Sequence, residues 1–167
     1  MKTIFTEEEV NLDVLQDHFL NSGFQVENRK EFSFGIRSRN GLYISFRIDK
    51  KRNYIGFNCY FDLDQQRSEL DKLLLVQRYN YNFFLASFSL GNDENELIAS
   101  YFMSYELGLI AGQMMHVFRR FSSLLDSLIE KENEDKLIVL GHDEVEQEIA
   151  NDDVKIIPNQ NPEGYTQ

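Results

Sequence analysis

Between Leu70 and Ile129 the spacing of apolar residues changes period twice, and the changes divide this stretch into elements. Leu70, Leu73, Leu74 and Gln77 share one side of a helix opened by Ser68, with Glu69 and Asp71 set favourably against the positive end of its dipole. Past Asn80 the period falls to two. Residues 83–90 and 96–105 predict strands joined by the turn Gly91-Asn92-Asp93-Glu94-Asn95. Several positions on both faces of these strands are apolar, as expected of central strands or of a surface that meets a second copy. Gly108 ends the second strand, and the period then lengthens again. Ile110, Met114, Val117, Phe118, Phe121, Leu124, Leu125 and Leu128 recur at steps of three and four, which is one face of a long helix.

Upstream the pattern supplies a sheet for those helices to cover. Val10, Leu12, Val14, Leu15 and Phe19 make a first helix over residues 9–22, with Gly23 as its stop. Phe24 and Val26 begin a short strand that a turn at residues 27–30 ends. Phe32, Phe34 and Ile36 then alternate with Ser33, Gly35 and Arg37, and Leu42, Ile44, Phe46 and Ile48 alternate with Tyr43, Ser45 and Arg47. Asn40-Gly41 between the two runs predicts a hairpin with a type I′ turn. Beyond Asp49-Lys50-Lys51-Arg52, a third row formed by Ile55, Phe57, Cys59 and Phe61 lies on the same face. The opposite face carries Arg37, Tyr43, Arg47, Tyr54 and Tyr60, the candidate binding surface. The fold class is therefore α+β, an antiparallel β-sheet packed by helices in the order α-β-β-β-α-β-β-α. Residues 1–131 form a single domain, and 132–167 an acidic, mostly extended or disordered C-terminal tail to which residues 137–140 could contribute an edge strand.

The 167 residues suffice for one domain with a real core, and 14 Phe and 8 Tyr against 2 Pro suit strands and a packed interior. Net charge is −11, which argues against general nucleic-acid binding. The charge is uneven, however: residues 29–52 hold eight basic and two acidic residues, and residues 130–167 eleven acidic and three basic. A basic sheet with an acidic tail leaves a second possibility open, in which Arg37, Arg39, Arg47, Lys50, Lys51 and Arg52 bind an anionic ligand or nucleic acid and the tail gates that face. The apolar runs are far too short to span a bilayer, and no apolar run follows a basic segment near the N-terminus, so a cytoplasmic protein without membrane contact is expected.

Chemistry is hard to find. His18, His116 and His142 have no second ligand at metal-binding spacing, and the acidic residues near His142 are those of a solvated tail. The glycines form no phosphate-binding loop and no serine sits in a nucleophile elbow. Cys59, the lone cysteine, gives no disulfide framework and fits a small buried apolar group. Catalytic, cofactor-binding and metal residues are all expected to be absent, so the chain reads as a non-enzyme.

The order of elements, together with Leu73–Phe84 (LLLVQRYNYNFF), the hairpin around residues 91–96 and Leu107–Phe121 (LGLIAGQMMHVFRRF), resembles the YbjN family over residues 9–130. Members are bacterial proteins described as sensory transduction regulators, with the fold of type III secretion chaperones. The N-x-x-N that usually ends the family's second helix is Gln77 and Asn80 here, and its usual Gly-Gly before the last helix is the single Gly108. The resemblance carries over no catalytic residue. It implies a small homodimeric domain, acting as a regulator or a chaperone-like module, that binds another protein or peptide segment along exposed apolar surface.

Overall fold

The computed structural model of the chain describes residues 3–38 and 40–139. The elements in order are β1 (Ile4–Phe5), a 3-10 turn (Glu7–Glu9), α1 (Leu12–Asn21), β2 (Val26–Glu27), β3 (Ser33–Arg37), β4 (Tyr43–Asp49), β5 (Tyr54–Leu63), α2 (Glu69–Asn82), β6 (Ser87–Leu90), β7 (Glu96–Ser104), β8 (Leu109–Ile110), α3 (Ala111–Lys131) and β9 (Ile138–Val139). The expected α-β-β-β-α-β-β-α order is present, with four two-residue strands added to it. Strands β2-β3-β4-β5-β7-β6 lie side by side in one sheet, every pairing antiparallel, and β9 adds to the end of β5. Among the described residues no helix is long and apolar enough to cross a membrane.

Alternation along β3, β4 and β5 points Phe34, Ile36, Ile44, Phe46, Ile48, Ile55, Phe57, Cys59 and Phe61 to one face, where all are buried. α1 and α3 lie on that face, and rings lock the layers together. Phe118 of α3 sits edge-on to Phe19 of α1 at 5.0 Å and to Phe57 of β5 at 5.4 Å, while Phe46 meets Phe19 at 5.5 Å. Such aromatic pairs contribute about 0.5–1.5 kcal/mol each beyond their burial. The eight-residue stripe predicted for the last helix is the one α3 turns inward, except that Ile110 falls in β8 and is half exposed.

The helix starts are built locally. Asn11 caps α1 by accepting from the Val14 N–H at 3.0 Å, and Ser68 caps α2 by accepting from the Asp71 N–H at 3.2 Å. α3 has no side-chain cap, and its first N–H, on Ala111, donates instead to the Thr3 carbonyl at 2.9 Å. That contact depends on β1 pairing with β8, and Gly108 permits it: its φ is +92° and a Cβ there would stand 2.7 Å from the Phe5 carbonyl oxygen.

The structure departs from the sequence reading at further points: Phe32, read as part of the inward row, precedes β3 and is half exposed. The Asn40-Gly41 hairpin is not a two-residue type I′ turn, because Arg37 pairs with Tyr43 and five residues connect them. Gly41 has positive φ (+87°), and the loop is tied by the Ser38 hydroxyl, which accepts from the Leu42 N–H and reaches Asp126 on α3. The strand expected from Phe83 begins only at Ser87, and Phe84 is 97% exposed. Finally, the side of α2 that carries Leu70, Leu73 and Leu74 faces water, with Leu70 64% exposed. α2 docks instead through Leu75, Tyr79 and the buried Lys72. The Tyr79 ring packs on Phe83 and Phe88, its hydroxyl donates to the Glu132 carbonyl, and the Lys72 ammonium donates to Asn95 Oδ1 at 2.6 Å.

Two asparagine side chains hold peripheral segments by gripping both backbone groups of one residue. Asn80 accepts from the Phe88 N–H and donates to the Phe88 carbonyl, each at 2.8 Å, fastening β6 to α2. Asn133 does the same to Ile138, so residues 133–139 turn back and seat Leu137 and Ile138 in the core. The rest of the acidic tail, from residue 140, lies outside the described residues.

Replacing Asn80 with Ala removes two hydrogen bonds from a half-buried backbone and is expected to lower stability by about 1–3 kcal/mol. Chemical denaturation should show this as a lower midpoint with unchanged slope. His18, buried on α1 edge-on to Phe5, is held below its ordinary pKa by desolvation. The unfolded chain thus binds a proton there that the fold resists, so stability is expected to fall as pH drops from about 7 to about 5.5. The decline should be shallower in His18→Gln, and an identical decline in both proteins would refute the assignment.

Candidate functional site

Register carries each strand's alternation across the sheet. Arg37, Tyr43, Arg47, Tyr54 and Tyr60 all lie on the face away from α1 and α3, together with Ile98, Ser100 and Phe102 of β7 and Ser89 of β6. This face has no second layer among the described residues. Arg47, Tyr54 and Tyr60 come together around a shallow hollow of about 670 Å³ that Asp49, Arg52, Gly56, Asn58, Ser89, Ile98, Ser100 and Phe102 complete. The floor is low because its residues are short, and two of them are tied together: Asn58 Oδ1 accepts from the Ser100 hydroxyl at 2.8 Å. Tyr60 stands opposite Ile98 at one end, and Tyr54 and Phe102 rise at the other. Phe102 pairs with Gly56 and lies across it, so close that a Cβ there would be 2.7 Å from the ring. An aromatic covering a strand glycine in this way restores the packing that the glycine lacks.

Arg37 and Tyr43 belong to a different part of the face, over β3. The Arg37 Nε is 2.6 Å from the Glu27 carboxylate, its Nη1 donates to the Gly41 carbonyl at 2.9 Å, and its guanidinium sits 5.6 Å from the Tyr43 ring centre. Its charge is already answered. Arg29 is likewise paired, with Asp13 of α1, and Arg39 lies outside the described residues. Residues 29–52 thus do not form one basic face. Their unanswered charge gathers at the β4–β5 turn, where Arg47, Lys50 and Lys51 have no ion-pair partner among the described residues and the 74%-exposed side chain of Arg52 reaches only to 3.5 Å from Asp49. The other end of β5 is acidic, with Asp62, Asp64, Asp93 and Glu96 around a second depression.

The sequence reading did not single out Phe102 or Ile98. Their signal was the doubly apolar pattern of residues 96–105, but joining them to Tyr54 and Tyr60 needs the β5–β7 register, which no local spacing reveals. The other candidates for chemistry stay apart. His18 is buried in α1, His116 is exposed on α3, and His142 lies outside the described residues. The Cys59 thiol points into the core, where burial pushes its pKa up to about 12. Among the described residues no three His, Cys, Asp or Glu side chains are placed to share a metal ion.

No protein-family model matches the chain, and no curated protein matches it by sequence. Solved structures do match by shape. YbjN from E. coli, a candidate transcription regulator, aligns with a TM-score of 0.65 at 16% identity over 81% of this chain and 99% of its own. A protein from Methanothermobacter thermautotrophicus aligns at 0.55 and 11% identity over 75% and 97%. A chain of the HopA1–SchA chaperone–effector complex aligns at 0.51 and 9% identity over 69% and 89%. At such identities the likeness speaks for architecture alone. The chain has the α+β fold of YbjN, the fold also found in a chaperone–effector complex.

Proposed function

We propose that this protein is a non-enzymatic binding module of regulator or chaperone-like type that holds a segment of another protein on the uncovered face of its sheet and acts as a homodimer through the outer side of α2. The observation that carries this reading is the hollow between Tyr54, Tyr60, Ile98 and Phe102. Tyr60 is 50% and Phe102 58% exposed on a sheet face that no helix among the described residues covers. A group of apolar side chains left exposed together on a sheet face marks an interaction site. An extended segment laid along the trough would rest apolar side chains on the rings, and Arg47 and Arg52 would favour acidic residues at the β4–β5 end. The likeness to a chain of a chaperone–effector complex supports a protein as the partner. Leu70, Leu73, Leu74 and Tyr81 give α2 an apolar outer stripe of the kind two copies bury against each other, and the lone buried thiol of Cys59 supports a cytoplasmic setting. A free anion at the β4–β5 end is the second reading, favoured by Arg47, Lys50 and Lys51, which have no ion-pair partner among the described residues.

Panning phage-displayed random 12-residue peptides against the full chain is expected to enrich sequences that mix acidic with aromatic or aliphatic residues. Tyr60→Ala or Phe102→Ala should weaken the selected peptides about tenfold, the loss of roughly 1.4 kcal/mol typical of an interface anchor. No enrichment, or enriched peptides indifferent to both substitutions, would refute the reading. Inorganic polyphosphate that binds through Arg47 but ignores Tyr60 would favour the anion instead. Sedimentation velocity at about 50 μM, where a dimer of micromolar affinity is mostly assembled, should show two copies for the native chain and one for Leu73→Glu/Leu74→Glu. A monomeric native chain would remove the dimer from the proposal.

A further inference from the structure

We propose that residues 140–167 fold back over the sheet and occupy the hollow beside Arg47 and Arg52 in the free protein, so that a partner must displace the protein's own C-terminal segment.

The exit of the chain points that way. β9 runs antiparallel to β5, with Ile138 opposite Leu63 and Val139 opposite Asp62, so the backbone leaves Val139 heading along β5 towards the Tyr54 end. Little of that edge of β5 is free. Ile44 of β4 pairs with Cys59, and the residues leading into β4 (Asn40, Gly41 and Leu42) share a depression with Val139 and with Tyr60 and Phe61 of β5. The edge of β5 beyond Asp62 is thus largely taken, and the open way past Val139 lies out of the plane of the sheet. On the helix side that depression is closed by Asp126, Ile129 and Glu130 of α3, whose carboxylates repel an acidic segment. The face with the hollow is the side left open, and Val139 shares it by its register with Asp62.

Charge and length agree with this path. Residues 140–167 contain seven acidic residues and one lysine, and Val145, Ile149, Val154, Ile156 and Ile157 lie among the acids of residues 143–157. That mixture matches a hollow with rings along its length and arginines at one end. The face itself is polarised: Asp62, Asp64, Asp93 and Glu96 repel the segment from the near end, while Arg47, Lys50, Lys51 and Arg52 draw it to the far end. From Asp62 to Tyr54 is about 27 Å at the rise of a strand, and an extended chain covers about 30 Å in nine residues, so the acidic run 143–148 reaches the β4–β5 end with the rest of the segment to spare. Tethering sets the local concentration of the segment near millimolar, so contacts too weak to form a complex in trans suffice to fill the hollow in cis. The groove beside His116 and Arg120 on α3 is the competing basic surface, but Arg119 there already lies 5.9 Å from the Phe24 ring centre.

This proposal shares the hollow with the protein-binding reading but requires no partner, and the two can fail separately. The test attaches a nitroxide to Gln147→Cys in the full chain. Cys59 needs no replacement, because its buried, hard-to-ionise thiol does not compete for the label. At about 0.05 M salt the amides of residues 54–58 and 100–102 are expected to lose at least about half of their NMR signal, and to recover it at about 0.5 M salt or in Arg47→Gln/Arg52→Gln. Neutralising Asp143, Glu144, Glu146 and Glu148 to their amides should also tighten the selected peptides about threefold or more by freeing the hollow. Unbroadened β5 and β7 amides, broadening that ignores the arginines, or broadening centred on Arg120 would overturn the proposal. So would broadening that persists undiminished when spin-labelled chains are mixed with separate isotope-labelled chains, since the occupant would then be a second copy. Peptide binding with no broadening would sink this inference and leave the binding module standing, whereas broadening with no peptide binding would do the reverse.

Discussion

The fold depends on the packing of Phe118 between Phe19 and Phe57. It is the contact through which α1, α3 and the middle of the sheet meet, and it forms on one side of the sheet only. β5 is hydrogen-bonded to β4 and β7 along most of its ten residues, so its inward row of Ile55, Phe57, Cys59, Phe61 and Leu63 is presented to the helices on a rigid lattice. A sheet packed on one face must make the other face compatible with water by its own residues. Here that face mixes serines, asparagine, glycine and charges with tyrosines and one phenylalanine. It is therefore soluble enough to exist uncovered and apolar enough to attach something.

Small residues in the centre and large ones at the ends give the face its relief. Gly56, Asn58, Ser89 and Ser100 keep the floor low, and the rings at either end stand above it. Asn58 and Ser100 are tied to each other on the floor, and the relief and charge around them would suit recognition by shape and charge more than by a fixed set of donors and acceptors. The polarity from acidic to basic along β5 adds a sense of direction, so a segment bound as proposed would have a preferred orientation as well as a preferred composition.

Much of this was legible in the chain. The 3.6-residue stripe of α3 and the period-two rows of β3, β4 and β5 are local properties, and the local signal agrees with the packing. The misreadings came where local pattern and tertiary contact part company. In α2, Leu70, Leu73 and Leu74 form an orderly stripe, yet the helix turns Lys72, Leu75 and Tyr79 inward, because Tyr79 finds Phe83, Phe88 and the Glu132 carbonyl while the lysine finds Asn95. Asn40-Gly41 promised a minimal turn, but Ser38 satisfies the loop ends and allows a wider one. The hollow was the least legible feature. Tyr54 and Tyr60 were visible as outward residues, whereas Phe102 joins them only through the β5–β7 register, and Gly56 acquires its meaning only with that ring across it.

The grip of Asn80 on Phe88 bears on how this protein avoids its own kind of hazard. β6 is the last strand of the sheet, and the backbone groups that its middle residue turns outward are the ones Asn80 holds. At the opposite border, β2 offers only two residues. With one border occupied by a side chain and the other cut short, the sheet is a poor template for adding a foreign strand, and runaway growth into fibrils is discouraged at both ends. A segment held on this face, as proposed above, would then lie flat against the sheet instead of extending it, which would free its sequence from any need to favour β-structure.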